Sequence, residues 1–482
     1  MHLHFTNNHY FRISTLAVLI LIITTILPVN VLAKQFPDLG DDARSALSIN
    51  DEKFIGDIWM QQLRASNAIC EDIVINSYLN NLGHQLLIHS DIKHFNFVFF
   101  GIEDYAINAF AFFGGHIGIH KGLILATQNE NELAAAMAHE IAHISQEHLL
   151  RHIIKNKQFF PITIAGALAS AILGVPDLII PILATHEQRI INFTREHEQE
   201  ADNIGMQLLA HAGFDPQSMP TLFKRMSQQA QYSANIPEYL LTHPIFETRI
   251  SEAQNRARHF NYRQRSSSFN YHLIKARIES KASANQQEII SRFKEQLANK
   301  RYENKAATLY GYALALAANH EYQPADKILH ELANQYPNNL IIQLGLCDME
   351  IANQQPKQAT KQMEQLLLLF PEEPALILKY SEHLLAIKEA AKAKQLLLQL
   401  INIKVFEPIT YQLLAQAENS MGNKVGMYTA TAEWHLLYGE LDSAVVQLDM
   451  ALSLVQGDAI LKANILKRKK AIAEIISKKK QL

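Results

Sequence analysis

The stretch Ala138-His139-Glu140-Ile141-Ala142-His143-Ile144, inside a run from Asn129 to Leu150, organises the reading of this chain. As a helix it stacks His139 and His143 on one face, four residues apart, where two imidazoles hold one metal ion. Glu140 is then placed to reach a water at that metal rather than the metal itself, as a hydrolytic zinc centre requires. Asn129 or Asn131 suits the cap, and Glu130 and Glu132 suit the positive end of the helix. Leu133, Ala136, Met137 and Ile141 are expected to face a core while the histidines face a cleft. In a chain of 22 histidines, a five-residue pattern needs corroboration.

That corroboration is sought in Thr194-Arg195-Glu196-His197-Glu198-Gln199-Glu200-Ala201-Asp202. A catalytic zinc takes three protein ligands and leaves one position for water, so a carboxylate on a second helix is what the two histidines lack. Glu196, Glu198 and Glu200 all compete for that role, and periodicity does not choose among them. Alone, the segment reads as a solvated charged helix face.

Composition narrows the remaining classes. The 482 residues exceed one core, so two or three domains are expected. An apolar fraction of 48%, a charged fraction of 19% and a net charge of -3 describe a globular chain with no nucleic-acid footprint. The two cysteines, Cys70 and Cys347, exclude a disulfide framework and a thiolate cluster, leaving room for one long-range disulfide.

Working outward, Arg12 before the apolar run Leu16 to Leu27, with Val31-Leu32-Ala33 beyond it, reads as a cleaved export signal over residues 1–33; an uncleaved anchor is the alternative. Helical patterning covers Phe36 to Leu87. Phe95 to Phe100 and His116-Ile117-Gly118-Ile119-His120 then read as strands of a small sheet. His116 and His120 read as surface residues rather than ligands. The strand His116, Ile117, Gly118, Ile119 is expected to form an exposed edge that pairs with a substrate backbone. Pro161 to Ala184 is apolar but broken by Pro176 and Pro181. A single crossing would separate His139 and His143 from Glu198, and two crossings need roughly 40 residues. The segment therefore reads as a flap over the cleft touching the membrane surface, or as a core helix.

His139-Glu140-x-x-His143 followed by Arg195-x-x-Glu198-x-x-Ala201-Asp202 resembles the gluzincin peptidases related to HtpX and the CAAX prenyl proteases. Asn108-Ala109-Phe110, Gly114-Gly115, Gly122-Leu123, Glu132-Leu133 and Thr242-His243-Pro244 extend the resemblance, and Phe113 departs from the proline common before the paired glycines. The resemblance implies His139, His143 and Glu198 as ligands of one Zn2+ per subunit, Glu140 as general base, and Arg195 and Asp202 as residues steadying the site. It also implies His243 as a fourth ligand that plugs the site. His197, His243 and Arg249 are candidates for stabilising the oxyanion.

Arg263 to Ser268 reads as a domain boundary. Beyond it, Tyr336-Pro337 and Phe370-Pro371 recur 34 residues apart, as do Ala325, Ala359 and Ala393, which is the tetratricopeptide period. About four repeats fit between Leu273 and Leu454. The tail from Lys462 to Lys480 carries eight Lys/Arg against Glu474, a solvated capping helix first and a membrane-surface contact second. The expected fold is mainly α: an α+β metalloprotease domain with a small β-sheet over residues 34–262, then an all-α tetratricopeptide-repeat solenoid over 263–482. With the export signal, the resemblance to periplasmic, repeat-bearing members implies outer-membrane proteins as substrates and their assembly machinery as partners. The competing reading is a chaperone or adaptor that binds precursors through its repeats.

Overall fold

The computed structural model describes residues 47–88, 90, 92, 96–155, 194–232, 237–261, 265–403 and 407–481. The expected export signal and the apolar segment Pro161 to Ala184 lie outside the described residues, as do the first two residues of the expected boundary, 263–264.

The central element is helix α4 (Glu130–Ser145), preceded by α1 (Ile49–Ala65), α2 (Ile73–Leu87), β1 (Val98–Ile102), β2 (Ala109–Phe112), β3 (His116–His120) and α3 (Lys121–Ala126). Asn129 caps α4 by accepting from the Glu132 N–H, satisfying one of the helix's orphan donors. Every residue of α4 from Glu130 to Ile144 is buried, so it is enclosed on all sides rather than half-facing a cleft. The anchoring at its N-terminus comes from the expected boundary region: Ser268 N–H and Oγ both donate to Glu130, and Asn131 donates to the Arg265 carbonyl.

The sheet runs β1-β3-β2, with β1 and β3 parallel and β2 and β3 antiparallel. This corrects the expected edge. The strand His116, Ile117, Gly118, Ile119 is central and buried throughout, so its backbone groups are committed on both sides. Ile117 and Ile119 point into the core, while His116 stacks on Phe112 at 5.0 Å and His120 meets the Phe110 ring edge-on. The two histidines are thus buried under aromatic rings rather than exposed. Gly118 is required where it is, because a Cβ there would lie 2.6 Å from the Phe110 ring. The turn from β2 to β3 uses left-handed Gly114 (φ 80°) and Gly115 (φ 89°), with Phe113 buried beside Trp59.

After α5 (His148–Lys155), the chain is next described in α6 (Arg195–His211), α7 (Ser218–Tyr232), α8 (Glu238–Thr242) and α9 (Glu247–Ala257). Helices α10 (Phe269–Glu279) and α11 (Gln286–Ala298) lead into the repeats. Four helix pairs follow: α12 (Lys305–Ala318) with α13 (Tyr322–Gln335), α14 (Leu340–Ala352) with α15 (Pro356–Leu369), α16 (Pro374–Ala386) with α17 (Ala390–Asn402), and α18 (Pro408–Ser420) with α19 (Lys424–Leu437). The turn inside each pair needs one left-handed residue, and His320, Gln354, Lys388 and Gly422 supply it at 34-residue intervals. Ala325, Ala359 and Ala393 are fully buried where a larger side chain would hold the paired helices apart. Helices α20 (Leu441–Leu454) and α21 (Ala459–Gln481) close the array. The basic α21 is seated by Ile465 and Ile472 and by pairs from Arg468 to Glu433, Lys469 to Asp449 and Lys478 to Asp51.

Repeats and protease share one apolar core running from Cys70 to Ala430, within a compact unit spanning Leu47–Leu482. Arg277 of α10 donates twice to Asp72, the cap of α2, and Arg64 and Gln61 of α1 donate to the carbonyls of Leu437 and Leu436. Cys70 and Cys347 are both buried and unpaired. No helix among the described residues is long and apolar enough to cross a membrane.

Candidate metal centre

Helices α4 and α6 cross closely because Gly205 lies against the Ala138 backbone, where an added Cβ would sit 3.0 Å from the carbonyl oxygen. Two turns before Gly205, that contact brings Glu198 over the histidines of α4. The Nε2 atoms of His139 and His143 are 3.0 Å apart, and Glu198 lies 3.3 Å from His143 Nε2 and 3.5 Å from His139 Nε2. His243 completes the group, with Nδ1 2.9 Å from Glu198 Oε1 and 3.3 Å from His139 Nε2. It follows α8, its own N–H donates to the Tyr239 carbonyl, and Pro244 keeps it extended at φ -122°, ψ 77°.

These four donor atoms all lie within 4.8 Å of one another and are buried. Tetrahedral zinc with bonds near 2.0–2.1 Å places its donor atoms about 3.3 Å apart, which the observed spacings bracket. Four lone-pair donors facing inward at such distances are held together only by a cation or a proton among them. The donor set therefore fits a borderline metal of the zinc type.

Glu140 lies beside the group, its Oε1 3.5 Å from His243 Nε2, and burial raises its pKa. For Glu198, burial alone would do the same, yet Arg249 and His243 hold it well below the ordinary carboxylate range. For His139, burial is overridden by hydrogen bonds to Asp202 and Glu198, which push it up to about 9. His143 is held well below its ordinary value by burial.

Asp202 lies 3.0 Å from His139 Nδ1 and accepts from Arg249 Nε at 2.6 Å and Nη2 at 2.8 Å. Arg249 Nη1 also meets Glu198 at 2.6 Å and donates to the Pro244 carbonyl at 3.1 Å. The expected steadying role of Asp202 thus has its geometry. Arg195 does not share it: this residue is exposed, with its guanidinium over the Phe246 ring at 4.2 Å, because the first residue of α6 points away from the cluster. Arg249, 47 positions beyond Asp202 in the chain, stands there instead. Its donors are committed to Glu198, Asp202 and Pro244, which argues against an oxyanion role.

Among the competing carboxylates, Glu196 is exposed, and Glu200 faces the far side of His143 through His148. Sequence reasoning missed His148 and the site role of Arg249. His148 stood in view, five residues past His143, but beyond a break in helical periodicity. His197 stacks on His148 at 4.6 Å, away from the four-donor group.

Residues 75–257 match peptidase family M48. The beta-barrel assembly-enhancing protease of Escherichia coli (strain K12) is 34% identical over 430 residues, 88% of each chain. That of Yersinia pestis is 33% identical over 426 residues, 87% of this chain and 88% of its own. The mitochondrial metalloendopeptidase OMA1 of Arabidopsis thaliana is 26% identical over 209 residues, 42% of this chain and 38% of its own.

Proposed function

The chain belongs to peptidase family M48 and is a metalloprotease, and from that premise we propose that it is a periplasmic zinc endopeptidase of outer-membrane protein assembly that degrades misassembled barrels and rests in a self-inhibited state. The observation carrying this reading is the inward-facing donor set of His139, His143, Glu198 and His243 with Glu140 beside it. Bound zinc supplies polarisation of the scissile carbonyl and a lowered pKa for the attacking water. Glu140 takes the water's proton and passes it to the leaving amine, a task suited to a carboxylate whose pKa burial has raised. Asp202 fixes the tautomer of His139, and Arg249 fixes Asp202 and Glu198 together.

The open edge of the sheet is β2 rather than β3. His120 N–H donates to the Asn108 carbonyl, so by the antiparallel alternation Phe110 and Phe112 also bond to β3 while Ala109 and Ala111 turn their backbone groups outward. Ala111, on the same wall as His143 and Ile144, is the residue offered to an extended substrate.

His243 is the fourth member of the donor set; with a metal held there it would take the position that the attacking water needs, and so would act as a plug. Glu140→Gln is expected to retain zinc and lose cleavage of an unfolded barrel precursor; cleavage by the zinc-loaded variant would refute the assignment. His243→Ala is expected to raise basal proteolysis, and equal or lower turnover with zinc retained counts against the plug. That fourth donor also favours a second reading, in which the repeats chaperone precursors while the site stays shut. Full rescue of an envelope defect by Glu140→Gln would select it.

A further inference from the structure

Each of the two donor-set histidines on α4 has an imidazole nitrogen facing away from the set, and the two are anchored differently. His139 Nδ1 meets the Asp202 carboxylate directly. His143 Nδ1 lies 2.9 Å from another imidazole nitrogen, Nδ1 of His148, and His148 Nε2 lies 3.0 Å from Glu200 Oε2. Arg151 Nη1 donates to the same Glu200 oxygen at 2.9 Å. The chain of contacts joins three helices: His143 on α4, His148 and Arg151 on α5, Glu200 on α6.

The backbone is arranged to make it. Glu147, between α4 and α5, is left-handed at φ 54°, a conformation costly for a non-glycine residue. That residue ends α4 and turns the chain so that α5 begins with His148 behind His143 instead of a full turn along the same face. His148 has no exposed surface, and His197 stacks on its ring at 4.6 Å and 16°, which fixes the plane of the imidazole.

We infer that His148 is the positioning residue of the ligand His143, relaying its orientation from Glu200 and Arg151. The inference rests on the metal-centre reading. A ligand that presents Nε2 to a metal carries its proton on Nδ1, so His143 Nδ1–H donates to His148 Nδ1. His148 must accept there, which leaves its proton on Nε2, and that N–H donates to Glu200. Every tautomer along the line is then determined, and His143 can neither flip nor rotate without breaking its hydrogen bond to His148, whose own ring is held by Glu200. Partners of this kind behind a metal-bound imidazole contribute about 10–100-fold in metal affinity. The site is thereby held from both flanks by arginine-anchored carboxylates, Arg249 through Asp202 on one side and Arg151 through Glu200 on the other.

The test measures zinc affinity of the full chain by competition with a chromophoric chelator, with thermal unfolding of each zinc-free variant as the folding control. His148→Leu keeps the bulk and loses the acceptor, and its affinity is expected to fall about 10–100-fold. In His148→Asn the amide oxygen stands where Nδ1 stood, the same number of bonds from Cα, but nothing reaches Glu200, so affinity is expected to fall about as far as in Glu200→Leu and clearly less than in His148→Leu. Glu200→Leu, which leaves His148 in place but unanchored, is expected to lose at least about threefold. A purely packing role predicts the reverse order, with leucine tolerated and asparagine not. Wild-type affinity in His148→Leu, or equal losses in the leucine and asparagine variants, overturns the inference. If His148→Leu does not fold, unchanged affinity in Glu200→Leu overturns it. Failure of the wild-type chain to bind zinc overturns both this inference and the metal-centre reading, and is seen before any variant is compared.

Discussion

Replacing Arg249 with methionine removes the one guanidinium that meets both Glu198 and Asp202, three contacts at 2.6–2.8 Å in a site with almost no exposed surface. Methionine still packs on Phe223, over which the guanidinium now lies at 4.7 Å, so the loss is mainly electrostatic. Two buried carboxylates lose their permanent cation and keep only the His139 imidazole between them. At an effective dielectric of about 20, opposite charges 4 Å apart attract by about 4 kcal/mol, and breaking a buried pair from one side costs about 3–5 kcal/mol. The zinc-free Arg249→Met protein is therefore expected to lose about 4 kcal/mol of stability. Asp202→Asn in the same background removes one of the stranded charges, so the double variant should be more stable than the sum of the singles predicts by at least about 2 kcal/mol. Zinc neutralises Glu198 from the other side, so the loss should shrink by about half in the loaded protein. Urea unfolding followed by Trp59 fluorescence, with Trp434 changed to phenylalanine so that only the protease part reports, measures all four corners of the cycle with and without zinc. Additive singles, or losses indifferent to zinc, would refute the electrostatic account.

Three further outcomes follow from other parts of the molecule. Ala111→Pro deletes an outward N–H of the edge strand, a place where proline is compatible with a sheet; KM for an extended peptide should rise about tenfold with zinc content and unfolding midpoint unchanged. Gly205→Val drives a side chain into the Ala138 carbonyl and separates α4 from α6, so zinc affinity should drop by more than about tenfold in a folded protein, as chelator competition reports. Glu350 in α14 is buried, and its pKa is pushed up to about 6, mainly by burial and against the opposing effect of His330. Because the folded state then binds the proton more tightly than the unfolded chain, Glu350 destabilises the fold above pH 6, and that penalty fades as pH falls toward 4.5. Glu350→Gln should thus gain about 1–2 kcal/mol at pH 8 and nothing at pH 4 in urea titrations.

What could be read in the chain beforehand was whatever repeats or recurs locally. The two histidines one turn apart and the 34-residue alanine period are intrahelical or nearest-neighbour features, and both appear in the structure where spacing put them. The sheet order was not legible. β2 and β3 are joined by a turn and invite a hairpin, but the partner that makes β3 central is β1, a parallel neighbour reached across an intervening strand, and nothing local announces it. Arg195 has a steadying role only through the resemblance; the first residue of a helix projects by the angle at which that helix enters, which only its packing sets. Arg249 and His148 reach the site after a loop or a left-handed break, where helical periodicity carries no phase across.

The position of Arg249 also bears on how the proposed plug is released. His243 is tied to α8 by its N–H to Tyr239, and the next carbonyl, Pro244, accepts from the same guanidinium that holds Glu198 and Asp202. Pulling His243 out of the donor set by a rotamer change alone leaves that carbonyl bond in place. Withdrawing its whole segment breaks it, at about 0.5–1.5 kcal/mol for a hydrogen bond and more for one with a charged donor. The first route exchanges one nitrogen at the fourth corner for water and leaves the ligand triad intact; the second loosens Arg249 and weakens the site it opens. An opening that yields an active enzyme should therefore be a small one, confined to the His243 side chain and α8. A variant that frees the segment more widely, such as Pro244→Gly, is expected to lose zinc affinity along with the plug. His243→Ala should raise turnover without that loss, and equal zinc affinity in the two variants would show that the plug and the ligand triad are not coupled through Arg249.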